Sequence, residues 1–431
     1  MRLRGSTGLL AILVVALAAR VAVVVATPDF KPIFDAADFD RHAASISAGD
    51  GYPSPQLGLP GPTAFRPPAY PIALALIHKI GGGWTAERLL GALLGVVTVV
   101  LVFLIARRLW GRTVGLTAGA ICAVFPPLVL LNVSLLSETL FVPLTLAAVL
   151  AVLEYRDGRY LRWAVIAGVL CGLAVLTRTN GLLMVVALAL GAWVVRPRWS
   201  RSALAGPVAV LAATAVTFAP WVIRNTVEFD RFVALGTGAG YALAGTYNSE
   251  ARSRGAHPGQ PFAPSQLAIY RRDFATRSHF DEAEFTSRLN DRATQYIKDH
   301  PGYVLETVLW NVPRVFDVVR SDSFRRVFAA QQVQAVGVGP VDSAAVFLLS
   351  LYLVLALALL GLGLVMRRRD LRKAAVLVLG VPVLILVPAL AIYGLPRYRA
   401  PADPFLVMLA AVGAVAVWNR LRTRTGRTAS I

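Results

Sequence analysis

The sequence predicts an all-α protein that threads a membrane many times. Two observations carry that prediction. Of its 431 residues, 56% are hydrophobic and 16% charged, whereas a soluble domain has about a quarter of its residues charged. The apolar residues also come in runs near the roughly 20 that a helix needs to cross hydrocarbon, with arginine clusters between them. The net charge of +19 would suit a nucleic-acid binder. Cations spaced between apolar runs read instead as topogenic loops, so nucleic acid is not expected as a partner. Cys122 and Cys171 both lie in apolar runs and imply no disulfide framework.

About ten spans are expected, within a range of nine to thirteen. The first, near 7–27, follows a short basic start and lacks a small-residue cleavage site, so it reads as an uncleaved anchor. The others lie near 86–106, 113–132, 139–153, 161–177, 180–195, 202–222, 344–365, 374–393 and 400–418. With the N-terminus in the cytoplasm, the inside loops hold six basic groups. These are Arg2 and Arg4; Arg107, Arg108 and Arg112; Arg156, Arg159 and Arg162; Arg196, Arg198 and Arg201; Arg367 to Lys373; and Arg420 to Arg427. The alternation is unbroken, which places both termini inside. Richness in Ala, Arg, Val and Gly hints at a GC-rich bacterial genome but settles nothing, and a bacterial plasma membrane is the expected location.

Three regions follow. Residues 1–222 form a transmembrane module whose first outer loop is 28–85. Residues 223–343 form a nearly charge-neutral extracytoplasmic loop that reads as a lid. Residues 344–431 hold the last helices and a basic cytoplasmic tail. Segment 67–80 would break the charge alternation if it crossed, so it is expected to lie along the outer interface, with Pro67 and Pro68 in its first turn. Segment 303–316 leaves the same choice between insertion and surface.

Function is signalled by charges that break the positive-inside pattern. Four aspartates, Asp29, Asp35, Asp38 and Asp40, follow the first span, where carboxylates beside hydrocarbon are costly. Arg66, Arg178, Arg224, Arg397 and Arg399 fall at outer span ends, and Arg20 lies within the first span. Guanidinium groups gathered on one face suit an anionic ligand such as a phosphate. Bland readings stand beside this one: Arg224 would snorkel to headgroups, and Arg20 would pair for structure alone. Glu138 is expected near the first loop, either orienting an arginine or acceptor or forming a buried ion pair. His42 reads as structural or solvated. No metal-binding or phosphate-cradling motif stands in usable context.

The ordered set of Asp35 with Phe39, Arg66-Pro67-Pro68, LLSETLF around Glu138, LTRTNGLL around Arg178, PWVIRN around Arg224 and GLPRYRAP around Arg397, Tyr398 and Arg399 resembles the GT-C membrane glycosyltransferases. It is most similar to bacterial relatives of protein O-mannosyltransferases and of the lipid A aminoarabinose transferase, over about residues 7–418. The resemblance implies a GT-C fold and transfer of a sugar from a polyprenyl-phosphate carrier to an acceptor hydroxyl on a glycan, lipid or protein outside the cytoplasm.

The same resemblance implies Asp35 as catalytic base, with Asp38, Phe39, Tyr398 and Glu138 in support. The lipid phosphate falls to Arg66, Arg397 and Arg399 first, with Arg178, Arg224 and Arg20 behind them. Phe39 stands where the family usually has Tyr. Phe65 stands where the aminoarabinose branch has an acidic residue, which weakens the case for a metal there. No cofactor is required, and a divalent metal, though compatible, is not indicated. Two other classes share the hydropathy: a transporter, and a non-catalytic lipid-phosphate-binding assembly subunit. A transporter should show repeat symmetry and interrupted spans with polar residues near mid-membrane; here the unusual charges gather at one face.

Overall fold

A computed structural model describes residues 4–53, 58–193, 199–255, 257–319, 342–369 and 375–424. Arg2, Arg196, Arg198, Arg372, Lys373, Arg427 and residues 320–341 of the expected lid lie outside these. The described residues contain no strand. The helices run α1 Arg4–Ala26, α2 Asp35–Ala48, α3 Ala69–Lys79, α4 Trp84–Trp110, α5 Arg112–Val124, α6 Pro126–Asn132, α7 Glu138–Gly158, α8 Leu161–Val175 and α9 Met184–Ala192. There follow α10 Arg201–Glu228, α11 Gly238–Thr246, α12 Ser249–Arg254, α13 Arg271–Ala275, α14 Glu282–Asp299, α15 Pro301–Val315, α16 Asp342–Arg367, α17 Ala375–Ala391 and α18 Asp403–Arg424.

Among the described residues, apolar helix lies within each of the ten expected segments. Among the described residues, six are long and apolar enough to cross a membrane: those in α1, α4, α7, α10, α16 and α18. The pair α5–α6 bends by 58° and makes a seventh if counted as one span. The break falls at Pro126, whose ring suits the start of a new helix but leaves no N–H to continue the old one. The apolar helices α8, α9 with the short turn before it, and α17 are shorter. Leu10, Val14, Val25, Val216, Leu353 and Leu359 stay exposed on these helices, forming the apolar surface that lipid would cover.

The helix α7 is the most enclosed of the long ones, with 72% of its apolar window buried. Its first residue, Glu138, is therefore fixed by a packed core that includes Phe141, Val142, Leu146 and Val149. Close helix approach relies on small residues. A Cβ on Gly361 of α16 would meet the Leu409 carbonyl of α18, and one on Gly413 would meet that of Leu357.

The helix α3 has 11 residues and spans about 16 Å, too short for a hydrocarbon core of about 30 Å. It packs along α2, burying Tyr70 and Leu74 against Phe39 and Ala43. Pro67 and Pro68 precede this helix rather than occupying its first turn, and Pro68 is its N-cap. The ring of Pro68 leaves its carbonyl free to accept from Ile72 N–H at 3.0 Å. Segment 303–316 forms α15 and also falls short of span length.

Candidate active site

Asp35 and Asp38 stand in the first turn of α2, where the helix dipole favours carboxylates. Three residues apart, they share one face, and the Arg66-Pro67-Pro68 turn brings a guanidinium between them. Arg66 donates from Nη2 to Asp35 Oδ1 at 2.5 Å and from Nε to Asp38 Oδ2 at 2.6 Å. The second oxygen of Asp35 faces Arg397 Nη2 at 2.5 Å. Arg397 Nε donates to Glu138 Oε1 at 3.1 Å, and the same oxygen faces Arg178 Nη1 at 2.9 Å. Asp38 Oδ1 also accepts from Arg41 at 3.0 Å.

These contacts join five distant parts of the sequence into one charge network. Arginine charges outnumber carboxylates in it by one, counting Arg41, Arg66, Arg178 and Arg397 against Asp35, Asp38 and Glu138. Aromatic rings fix the guanidinium planes: Arg66 lies over Phe39 and Phe65, and Arg178 and Arg397 both lie over Tyr398. Such faces attract cations and exclude water. Phe39 thus meets an arginine through its ring and packs edge-on against Tyr70.

Exposure sorts the roles. The side chains of Asp35, Arg66 and Arg178 are 24%, 17% and 15% exposed, whereas Arg397 is 3% and Glu138 0%. A ligand arriving from outside meets Asp35, Arg66 and Arg178, with Arg397 behind them. Burial opposes the Asp35 charge, but Arg66 and Arg397 outweigh it and hold the carboxyl well below the ordinary carboxylate range. Asp38, pressed the same way by burial, is pulled down to about 2 by His42 and Arg66.

That lowering makes a stability prediction. Asp38 sits at about 2 in the fold against a usual 3.8, a gap corresponding to about 2 kcal/mol. The contribution is complete above pH 3.8 and disappears as pH falls through about 2. Melting temperature in detergent should therefore drop steeply below about pH 4, and less steeply in Asp38→Asn. Parallel pH profiles for the two proteins would refute the assignment.

Three other predicted residues sit elsewhere. Arg399 was expected to hold phosphate beside Arg397, and the structure corrects this. In the tight turn Pro396–Arg399, residues two apart point about 120° from each other. Arg399 instead donates to Asp403 at 2.8 Å and to the Val315 carbonyl at 2.7 Å, fully buried. Arg20 is likewise corrected, being buried within the bundle and donating to Asn132 Oδ1 and to the carbonyls of Ala16 and Ala123. A cation at mid-span lowers its cost by bonding local carbonyls.

Arg224 touches none of the network's carboxylates. It donates to the Thr63 carbonyl at 2.9 Å and lies over Tyr52 and Trp221. Among the described residues it has no carboxylate partner, which leaves its charge uncompensated beside the 63–66 turn.

Sequence reasoning missed two features. Glu282, buried at the start of α14, accepts from Thr63 Oγ1 at 2.7 Å, Ala64 N–H at 2.8 Å and Thr237 Oγ1 at 2.5 Å. It ties the long second loop to the turn that presents Arg66. Burial raises its pKa against the pull of those hydrogen bonds. Nothing in its amphipathic helix distinguished it from a solvated glutamate. The second feature is a convergence of Asp40, His78 and Glu87, residues that seemed scattered along the chain. His42 is also buried, with Nδ1 2.7 Å from the Asp38 carbonyl oxygen.

Residues 65–223 match the family described as dolichyl-phosphate-mannose-protein mannosyltransferase. That stretch carries Arg66, Glu138 and Arg178. The archaeal oligosaccharyltransferase AglB from Archaeoglobus fulgidus, solved with an inhibitory peptide and a dolichol-phosphate, aligns with 100% of this chain and 52% of its own. Identity is 14% and the TM-score 0.56. The apo form of the Archaeoglobus fulgidus oligosaccharyltransferase aligns with 97% of this chain and 51% of its own, at 14% identity and a TM-score of 0.55.

The chain has the GT-C fold.

It spans about half the length of those two oligosaccharyltransferase chains. ArnT from Cupriavidus metallidurans bound to undecaprenyl phosphate aligns with 98% of this chain and 80% of its own at 13% identity. Its TM-score is 0.45. No curated protein matches the sequence. Within the GT-C fold, the charge network gathers the start of α2, the turn before α3, the start of α7, the end of α8 and the turn before α18.

Proposed function

We propose that this GT-C protein is an inverting glycosyltransferase that moves a sugar from a polyprenyl-phosphate carrier to an acceptor hydroxyl. The site faces away from the cytoplasm of a bacterial plasma membrane, with both termini inside. The observation that carries the reading is a partly exposed carboxylate, Asp35, clamped by two arginines at the meeting point of distant elements.

The step balances as a single displacement. The acceptor oxygen attacks the anomeric carbon, forming the new glycosidic bond. Its proton passes to Asp35 as general base, and the bond from the anomeric carbon to the phosphate oxygen breaks with its electron pair on the phosphate. Polyprenyl phosphate is already stable as an anion, so no general acid is required. Arg66 and Arg178, backed by Arg397, stabilise the charge that grows on the phosphate, and the uncompensated Arg224 draws the headgroup toward the same turn. No metal is needed in this step: both Asp35 oxygens and both Asp38 oxygens already face arginines.

A carboxylate clamped by two arginines is a weak base. Donor phosphate competes for the same guanidinium groups, so donor binding releases Asp35 and raises its proton affinity. The base is armed only when the donor is present, which limits idle hydrolysis. The acceptor is a glycan, lipid or protein, and the polyprenyl tail lies in an apolar groove between spans.

Purified protein in lipid should release sugar from one member of a panel of synthetic polyprenyl-phosphate sugars once cell-envelope extract supplies an acceptor. Silence across the whole panel with extract present, despite tight binding of polyprenyl phosphate, would instead favour a binding subunit.

A further inference from the structure

The cluster of Asp40, His78 and Glu87 lies outside the Asp35 network and takes no part in the proposed step. Asp40 stands on α2, His78 near the end of α3 and Glu87 in the first turn of α4. Their ligand atoms all lie within 4.8 Å of one another. His78 Nε2 is 3.2 Å from Asp40 Oδ1 and 2.8 Å from Glu87 Oε1.

An ordinary ion-pair cluster would satisfy these atoms with hydrogen bonds. Here Asp40 Oδ1, His78 Nε2 and both Glu87 oxygens are buried with no hydrogen-bond partner. The Glu87 side chain is 0% exposed and only its Oε1 faces His78, so the desolvation cost of this carboxylate is only partly offset. The imidazole lies at ion-pair distance from both carboxylates, and Glu87 Oε2 is left with no partner. Bonds of about 2.0–2.2 Å to one ion would place neighbouring ligand atoms about 3.0–3.5 Å apart, close to the 3.2 and 2.8 Å that separate His78 Nε2 from the two carboxylates. Asp40 Oδ2 accepts from Trp84 Nε1 at 3.1 Å, which leaves Oδ1 turned inward, as outer hydrogen bonds do for metal-bound carboxylates.

We propose that Asp40, His78 and Glu87 bind a divalent metal ion of the zinc or manganese class. One imidazole nitrogen with two carboxylate oxygens suits these ions, whereas thiolate-seeking ions find no sulfur here. His78 and Asp40 side chains are each 21% exposed, so the site lies near the surface, from which an ion and its water ligands would enter. The ion pins α2, α3 and α4 together and so fixes the helix that carries Asp35 and Asp38. It touches no reacting atom, and it acts as a positioning metal.

The test uses full-length protein in nanodiscs, purified with a tag lacking histidine and stripped with chelator. Zn2+ and Mn2+ are titrated separately, with bound metal counted by elemental analysis and stability read by thermal melting. Wild type should bind about one equivalent and melt several degrees higher with it. Glu87→Gln and His78→Gln should lose the equivalent and the shift, while Asp35→Asn keeps both. Wild type without binding or thermal shift overturns the proposal, whatever the variants do. So does metal retained in Glu87→Gln and His78→Gln, or metal lost in Asp35→Asn alone, which would place the ion at the arginine network.

Discussion

Asp35→Asn is expected to slow sugar transfer by about 10²–10⁴-fold while leaving the protein folded. Asparagine keeps the shape of the side chain but accepts no proton at neutral pH. Asp35 is partly exposed, so water takes over part of the solvation of Arg66 and Arg397 when its charge is gone. Asp38 is the nearest candidate to substitute for it, but it is 2% exposed and both its oxygens face arginines. The same substitution removes the carboxylate that competes with the donor phosphate. The variant should therefore bind polyprenyl phosphate at least as tightly as wild type. Sugar release and phosphate affinity measured side by side separate the two effects. Turnover within a few-fold of wild type would sink the base assignment, and lost affinity would sink the competition argument.

Arg397→Gln is expected to destabilise the fold by about 3 kcal/mol, toward the low end for breaking a buried ion pair, because Asp35 keeps Arg66 and Glu138 keeps Arg178. Arg397 is 3% exposed and its partner Glu138 0%, so water cannot replace the lost contacts. Lysine should rescue poorly, since it lacks the fork that reaches two carboxylates at once. In the double variant with Asp35→Asn, the penalty should be smaller than the two single losses added, because one opposed charge has gone from each side. Thermal melts of the four proteins measure that coupling. Strict additivity would show that Arg397 and Asp35 do not act on each other in solution.

The two variants also divide the network by role. On the proposed mechanism, Asp35→Asn strikes chemistry at a site that solvent reaches. Arg397→Gln strikes the buried scaffold that aims Asp35, so it should lower both stability and phosphate affinity. A purely structural Arg397 would lower stability alone.

The sequence by itself determined the membrane class, because runs of apolar residues separated by arginines have no other stable setting. It located the apolar helices for the same reason, while six, or seven with the bent pair, have span length among the described residues. It also singled out Asp35, Arg66, Arg178, Glu138 and Arg397 as candidates, since charges at span ends are too costly to be casual. What the sequence left open was which of them meet. Arg397 and Arg399 are indistinguishable in the string RYR, and only the turn geometry sends one to Asp35 and the other to Asp403. Arg20 looked like its peers until the bundle closed around it and supplied carbonyl partners. Asp40, His78 and Glu87 carried no motif, because their spacing of 38 and 9 residues has no local meaning. Local pattern is set by solvation and chain period, which a sequence displays residue by residue. Convergence is set by how α2, α3, α4, α7 and α18 pack, and the tertiary structure alone decides that.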